Sequence, residues 1–376
     1  MYRVILEKVR SYIFSENPPI ILILGLRQVG KSTLVQTICK DRPFARFNFD
    51  LVSDISEFTN QDRHSLGLFA RKYKDQVIIV DEVQKSPEAV NIIKHLYDTY
   101  KLRFLLTGSS EVKIRRGVGD SLAGRLREFK LYPLSLEEID IQSGLNFDRE
   151  IEFNNYEFNQ EMLMRYLVYG SLPELLNIKV EDYKNYLNSL TNSIFSKDVL
   201  EVSGTRKPVQ VFHLAKLLAH QIGQIVNYNE LSQMSELSRI SVVNFIETFE
   251  QMGLIVKANP ISANNRESIT KRTKIYFTDL GIRNSLIANF SDYRKRFDQG
   301  ALLENAIFVG MKRSMDYQSV SYELGFFRSE YGSEMDIVKK VGGEEYLFEV
   351  KTKAKHFKKI ANLTFIDLHS TQKYLY

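Results

Sequence analysis

The sequence has one cysteine, Cys39, in 376 residues. An intramolecular disulfide and a cysteine zinc cluster are therefore both excluded. Cys39 follows an apolar helical run and reads as a buried, inert thiol. No apolar run approaches the ~18 residues of a membrane span, so no membrane partner is expected. The opening MYRVILEKVRSYI has no unbroken apolar core and no small-residue cleavage site, which makes the cytoplasm the expected location. Histidine is scarce: the six residues show no metal-ligand spacing, and His213 and His220, seven apart on one helix face, read as packing or surface groups. Neither sign of charge dominates. The net charge of +5 permits a nucleic-acid partner without requiring one. No internal repeat or low-complexity segment is present. At 44% hydrophobic and 26% charged, the composition argues against disorder, and the length argues for two or three domains.

What is there begins with ILILGLRQVGKSTLVQTI, residues 21–38. An apolar run enters Gly25-Leu26-Arg27-Gln28-Val29-Gly30-Lys31-Ser32, which fits the G-x-x-x-x-G-K-[ST] phosphate loop at every fixed position. The glycines let backbone N–H groups approach phosphate oxygens, and the following helix adds the positive end of its dipole. Lys31 is expected to reach the β- and γ-phosphates. Ser32 is expected to ligate Mg²⁺, with Thr33 completing the binding set. VIIVDE ends an apolar strand on Asp81 and Glu82, at the strand end that faces a nucleotide crevice. Asp81 suits the grip on Mg²⁺, and Glu82 suits orienting and deprotonating an attacking water. FLLTGSS ends another apolar strand on Thr107, Ser109 and Ser110, where Ser109 is the sensor expected near the γ-phosphate. Arg115, Arg116 and Arg125 follow. An arginine from this chain or from a neighbouring copy could stabilise transition-state charge, which admits a homo-oligomer.

Short apolar strands alternating with helical patterns predict a parallel sheet covered on both faces. Strands are expected at ILIL, ARFNFDL (45–51), VIIV (77–80), FLL (104–106) and EFKLYPLS (128–135). Residues 141–205 read as a helical connector. Residues 206–290 read as three helices, the last capped by Ser238 or Ser241, followed by two strands, the order of a winged helix-turn-helix. Its recognition helix offers Ser238, Arg239, Ser241 and Asn244 to DNA but also carries Glu247 and Glu250, which repel phosphate. Arg266, Lys271, Arg272 and Lys274 are expected to form a basic wing tip. Residues 295–376 read as a separate α/β unit with strands in YELGFFRS, EMDIVKKV and EYLFEVKTK.

GLRQVGKSTL, IIVDEVQKSPE, RFLLTGSSEV, SLAGRLREFKLYPLSLEE, YGSLPELL, KIYFTDLGIRNSL, GALLENAIF, GSEMDIV and LFEVK occur in that order. They resemble a widespread prokaryotic family of P-loop ATPases in which an AAA-like domain precedes a C-terminal region of unknown function. The resemblance implies an α/β fold. Residues 1–140 would form a P-loop NTPase parallel sheet with flanking helices, followed by the connector, the winged helix and the last unit. That last unit is similar to a PD-(D/E)XK nuclease core of restriction-endonuclease type. In it Glu304, Asp336 and Glu349 would hold a metal, and Lys351 would position a water. Two departures stand out: no proline precedes Asp336, and only twenty-five residues follow Lys351. The basic run from Lys351 to Lys359, with His356, reads either as a nucleic-acid channel or as a solvated charge run.

ATP is favoured over GTP because no N/T-K-x-D guanine-reading motif is present and because of the resemblance. Two functions follow from these residues. In one, an ATPase with Mg²⁺ as cofactor controls a DNA-binding or nuclease-like module. In the other, nucleotide state gates a protein partner, and the nuclease-like fold is an inactive scaffold.

Overall fold

The computed structural model describes residues 1–109, 122–142, 156–261, 273–328, 334–352 and 363–366. Ser110, Arg115, Arg116, Arg266, Lys271, Arg272, His356 and His369 lie outside them. The chain divides into two compact units, Met1–Tyr132 and Pro133–Tyr376.

In the first unit the elements run α1 (Leu6–Ile13), β1 (Ile20–Leu24), α2 (Lys31–Ile38), β2 (Phe44–Asn48), α3 (Val52–Thr59), α4 (Arg63–Tyr73), β3 (Val77–Asp81), α5 (Pro87–Tyr100), β4 (Arg103–Gly108) and β5 (Leu126–Lys130). The strands form one sheet in the order β2-β3-β4-β1-β5, and every neighbouring pair is parallel. All five residues of β1 and of β3 are buried, which is why both read as continuous apolar runs rather than alternating ones. Each such side chain contributes about 1.5–3 kcal/mol by leaving water. Phe47, Phe58, Phe69 and Tyr73 pack in edge-on and tilted contacts over β2. One consequence of the strand order matters for chemistry: β4 lies between β1 and β3. The strand expected over 128–135 instead stops at Lys130. Beyond it, Ser135 and Glu138 form a reciprocal capping box, each backbone N–H donating to the other's side chain at 3.0 Å.

The second unit opens with α6 (Leu136–Gln142), α7 (Tyr156–Tyr169), α8 (Tyr183–Ser193) and α9 (Val199–Ser203). Next come α10 (Pro208–His220), α11 (Tyr228–Ser235) and α12 (Arg239–Gln251). Asn227 caps α11, and of the two candidate caps for α12 it is Ser238 that accepts from the Ser241 N–H. The antiparallel pair β6 (Ile255–Pro260) and β7 (Lys274–Phe277) follows, then α13 (Leu280–Leu286) and the long α14 (Gln299–Gln318). The last strands are β8 (Tyr322–Arg328), β9 (Glu334–Val341), β10 (Glu344–Val350) and β11 (Leu363–Ile366).

The sequence separates the three-helix segment from the last α/β segment, whereas the structure puts both on one sheet. Its order is β11-β10-β9-β8-β6-β7, with β6 joined to β8 through Asn259↔Gly325 and Pro260↔Phe326. Gly325 is needed there, since a Cβ would lie 2.1 Å from the Asn259 carbonyl oxygen. Among the described residues, no helix is long and apolar enough to cross a membrane.

The TDLGIRN stretch is structural in this unit. Asp279 of TDLGIRN caps α13, accepting from Ile282 N–H at 3.0 Å and from Ser171 N–H at 2.8 Å. Asn284 donates to the Leu167 and Val168 carbonyls at the end of α7. Arg283 and Arg296 both clasp Asp298, which holds its carboxyl well below the usual carboxylate range despite burial. Gly281 lets this turn press on α7, because a Cβ there would sit 2.1 Å from the Tyr169 carbonyl oxygen.

Candidate functional site

The phosphate loop joins β1 to α2 at the C-terminal edge of the first sheet. A Cβ on Gly25 would lie 2.4 Å from the Leu131 carbonyl oxygen, so only glycine fits. Gly30 takes a left-handed conformation (φ 95°) as it enters α2, and Gln28 is left-handed as well (φ 61°). Lys31 is buried and folds back over the loop, its Nζ donating to the Gly25 and Leu26 carbonyls at 2.8 and 3.0 Å. Leu26 and Val29 anchor the loop in the core, whereas Arg27, Gln28, Ser32 and Thr33 face outward.

Because β4 is the strand between β1 and β3, its end delivers Thr107 and Ser109 next to Asp81 and Glu82. Thr107 Oγ1 donates to Asp81 Oδ1 at 2.8 Å. Ser109 Oγ donates to Glu82 Oε2 at 2.9 Å, and Gln84 Nε2 donates to the same oxygen. Glu82 itself is left-handed (φ 55°, ψ 45°), a conformation costing a non-glycine residue about 1 kcal/mol and often found at functional sites. These contacts hold its carboxylate in one orientation. Sequence reasoning missed two residues of this cluster. Gln84 follows Glu82 by two and shares its hydrogen bonds. Arg46 of β2 donates to Asp81 Oδ2 through Nε at 2.7 Å and Nη2 at 2.6 Å. The only signal for Arg46 was its alternation with Phe47; the register that sets it diagonally across from Asp81 is not written locally.

Arg125, one of the arginines considered for the nucleotide in cis or from a neighbouring copy, grips Asp98 of α5 with its guanidinium at 2.6 and 2.9 Å. Its carbonyl accepts from Ile20 N–H, so it sits at the start of β1, the opposite sheet edge from the phosphate loop. It does not reach the phosphate loop of its own chain.

The residues present suit a magnesium nucleotide: a glycine-gated loop, an outward hydroxyl on Ser32 and a carboxylate on Asp81 supply oxygen donors of the right hardness.

The carboxylates of the second unit behave differently. Glu304, Asp336, Glu349 and Lys351 are near enough to influence one another's charge. Among the described residues no three of His, Cys, Asp and Glu stand so as to hold a metal ion, and the metal role expected of Glu304, Asp336 and Glu349 stays a proposal. Each carboxylate is engaged by a protein donor. Glu304 accepts from Lys274 Nζ at 3.2 Å and from the Tyr276 hydroxyl at 2.6 Å. Asp336 Oδ2 accepts from Val350 N–H at 2.8 Å. Glu349 accepts from Lys351 Nζ. Lys274 also pairs with Glu334 at 2.9 Å and lies over the Phe326 ring at 5.2 Å. With its side chain 2% exposed, it is no part of a basic wing tip. Burial pushes Glu304 up to about 7, a shift the Lys274 ammonium only partly offsets. Lys274 bridges Glu304 and Glu334, and Lys351 lies at Glu349, so the charge of these acids is already partly offset by the protein.

Helix α12, expected to read DNA, is less basic than DNA binding prefers. Ser238, Arg239 and Asn244 are exposed, but so is Ile240, and Glu250 is tied to Lys257 at 2.8 Å. A mostly apolar groove of about 190 Å³, lined by Leu134, Met162, Tyr166, Leu172 and Tyr183, shares no residue with either charged cluster.

Comparison with known proteins follows the same division. Residues 17–140 match the family model of an AAA domain. Together with the loop and the parallel sheet, this makes the first unit an AAA-like P-loop ATPase domain. Residues 160–293 and 299–375 match two domains of unknown function, DUF8612 and DUF4143. An uncharacterized protein of Methanocaldococcus jannaschii is 25% identical, over 92% of this chain and 76% of its own. One of Mycobacterium tuberculosis is 22% identical, over 89% and 70%. Among solved structures, a Walker-type ATPase of Pyrococcus abyssi is similar at TM-score 0.49 and 15% identity, over 75% of this chain and 94% of its own. The Thermotoga maritima RuvB branch migration motor is similar at 0.33 and 14%, over 67% and 86%. These structural likenesses are too distant to carry an argument about function.

Proposed function

We propose that the chain binds ATP with Mg²⁺ and hydrolyses it, and that the second unit responds to nucleotide state without cutting nucleic acid. The observation that carries the ATPase reading is the convergence of the phosphate loop, Asp81 and an oriented Glu82 at one sheet edge. In this reading the loop N–H groups and the start of α2 cradle the phosphates. Lys31 leaves its two carbonyls for the β- and γ-phosphates. Ser32 and Asp81 would hold Mg²⁺, whose charge would offset that of the phosphates. Glu82 takes the proton of a water attacking the γ-phosphorus, and Ser109 and Gln84 keep its carboxylate aimed. The test is ATP turnover and binding in wild type, Lys31→Ala and Glu82→Gln. Lys31→Ala should weaken binding, and Glu82→Gln should bind without turning over. Normal turnover in Glu82→Gln would remove Glu82 from its role.

The ammonium of Lys274 against Glu304 favours a non-cleaving second unit; in this reading its partner would be a protein. The competing reading, an ATP-controlled nuclease or DNA-binding module, predicts metal-dependent cutting of labelled DNA or RNA that Asp336→Ala abolishes. Cutting of that kind would overturn the scaffold reading.

A further inference from the structure

Asp81 is the carboxylate on which the magnesium site of the proposed ATPase depends, and both of its oxygens are already engaged. Oδ1 accepts from Thr107, an interaction internal to the sheet. Oδ2 accepts two guanidinium N–H groups from Arg46. The two cannot be equivalent. Thr107 is buried on the central strand β4 and cannot leave without unfolding its surroundings. Arg46 stands on β2, the edge strand, with a side chain 34% exposed. It can swing into water with little loss of packing, since its long stem reaches Asp81 from outside the core.

A guanidinium and a hydrated divalent cation on the same carboxylate oxygen repel each other and compete for the same lone pairs. We propose that Arg46 is a placeholder cation: it holds Asp81 charged and oriented before nucleotide arrives, and the magnesium–nucleotide complex displaces it. Arg46 thereby sets how much Mg²⁺ the site requires, and its release puts a positive charge at the β2 edge in the loaded state. It acts through Asp81 and is a positioning residue. This inference rests on the nucleotide reading given above.

The experiment is binding of a fluorescent ATP analogue to the full chain, titrated with Mg²⁺ from a chelated start. Wild type, Arg46→Met, Arg46→Gln and Arg46→Lys are compared. Loss of the guanidinium should lower the Mg²⁺ concentration at half-saturation by about three- to tenfold, the range expected for losing one partly screened charge. Affinity for the analogue without Mg²⁺ should stay within about twofold of wild type. Arg46→Lys should return most of the wild-type requirement. If Arg46→Met does not fold, Arg46→Gln removes the charge while keeping a hydrogen bond and should give the same shift. An unchanged or raised Mg²⁺ requirement, or loss of analogue binding with and without Mg²⁺ in the neutral variants, would overturn the proposal. A wild-type chain that binds no analogue under any condition would instead remove the nucleotide reading, and this proposal with it.

Discussion

Asp81 and Glu304 each sit at a place where the sequence predicts a metal, and each is met by a cation of the protein. The resemblance ends there. Arg46 reaches Asp81 from an edge strand with a third of its side chain in water and touches one carboxylate. Lys274 is 2% exposed, lies between Glu304 and Glu334, and is covered by the Phe326 ring. The first cation can be exchanged at small cost. The second is built in, because it is itself buried and bridges two acids. An acidic pattern in a sequence therefore does not say whether the site takes a metal from solution. The burial and the number of partners of the nearest protein cation do.

The widest separation between the two sites should come from deleting the fixed cation. Lys274→Met leaves Glu304 and Glu334 without their ammonium and should destabilise the chain by about 3 kcal/mol, read by urea unfolding. A loss under about 1 kcal/mol would mean that Lys274 is as exchangeable as Arg46. Next, Glu82→Gln should lower kcat for ATP by about a hundredfold or more with nucleotide binding retained, read by steady-state hydrolysis and analogue fluorescence. Third is a pH effect confined to the second unit. The carboxyl of Glu304 is raised to about 7 by burial, so in this range the folded state binds more protons than the unfolded state. Stability from that group is full below the unfolded carboxyl range near ~4.5 and is lost as pH rises towards 7. Wild type should lose roughly 2 kcal/mol relative to Glu304→Gln across that window. A difference independent of pH would mean that Glu304 stays ionised throughout. The smallest effect belongs to Arg46→Met, which should change stability by less than about 1 kcal/mol, because Asp81 keeps its bond from Thr107 and a third of the Arg46 side chain is already in water.

How much of this could be read beforehand differs between the units for a physical reason. In the first, the chemistry is local. Gly25 to Ser32 is one continuous loop, Asp81-Glu82 closes one strand, and doubly buried strands announce themselves as apolar runs. Arg46 escaped because its partner lies across a parallel ladder, and the sequence distance of Arg125 from the loop says nothing about which sheet edge it occupies. In the second unit the acids were legible as D…ExK and a helix glutamate, but their neutralising lysine is on β7, thirty residues before Glu304. Charge alone made Lys274 look like a wing residue. Only the joining of β6 to β8 brings that hairpin into the same sheet as the acids. The TDLGIRN turn was legible as a motif but not as a clamp, since its partners on α7 and α10 are over sixty residues away.

The most direct test of the contrast is metal binding itself, by titrating Mn²⁺ into the full chain and following free Mn²⁺ by paramagnetic resonance, with and without ATP. One tight ion per chain is expected only when ATP is present, lost in Asp81→Ala and unaffected by Asp336→Ala. A tight ion bound without nucleotide and abolished by Asp336→Ala would contradict it, because the acids around Lys274 would then be a metal site after all.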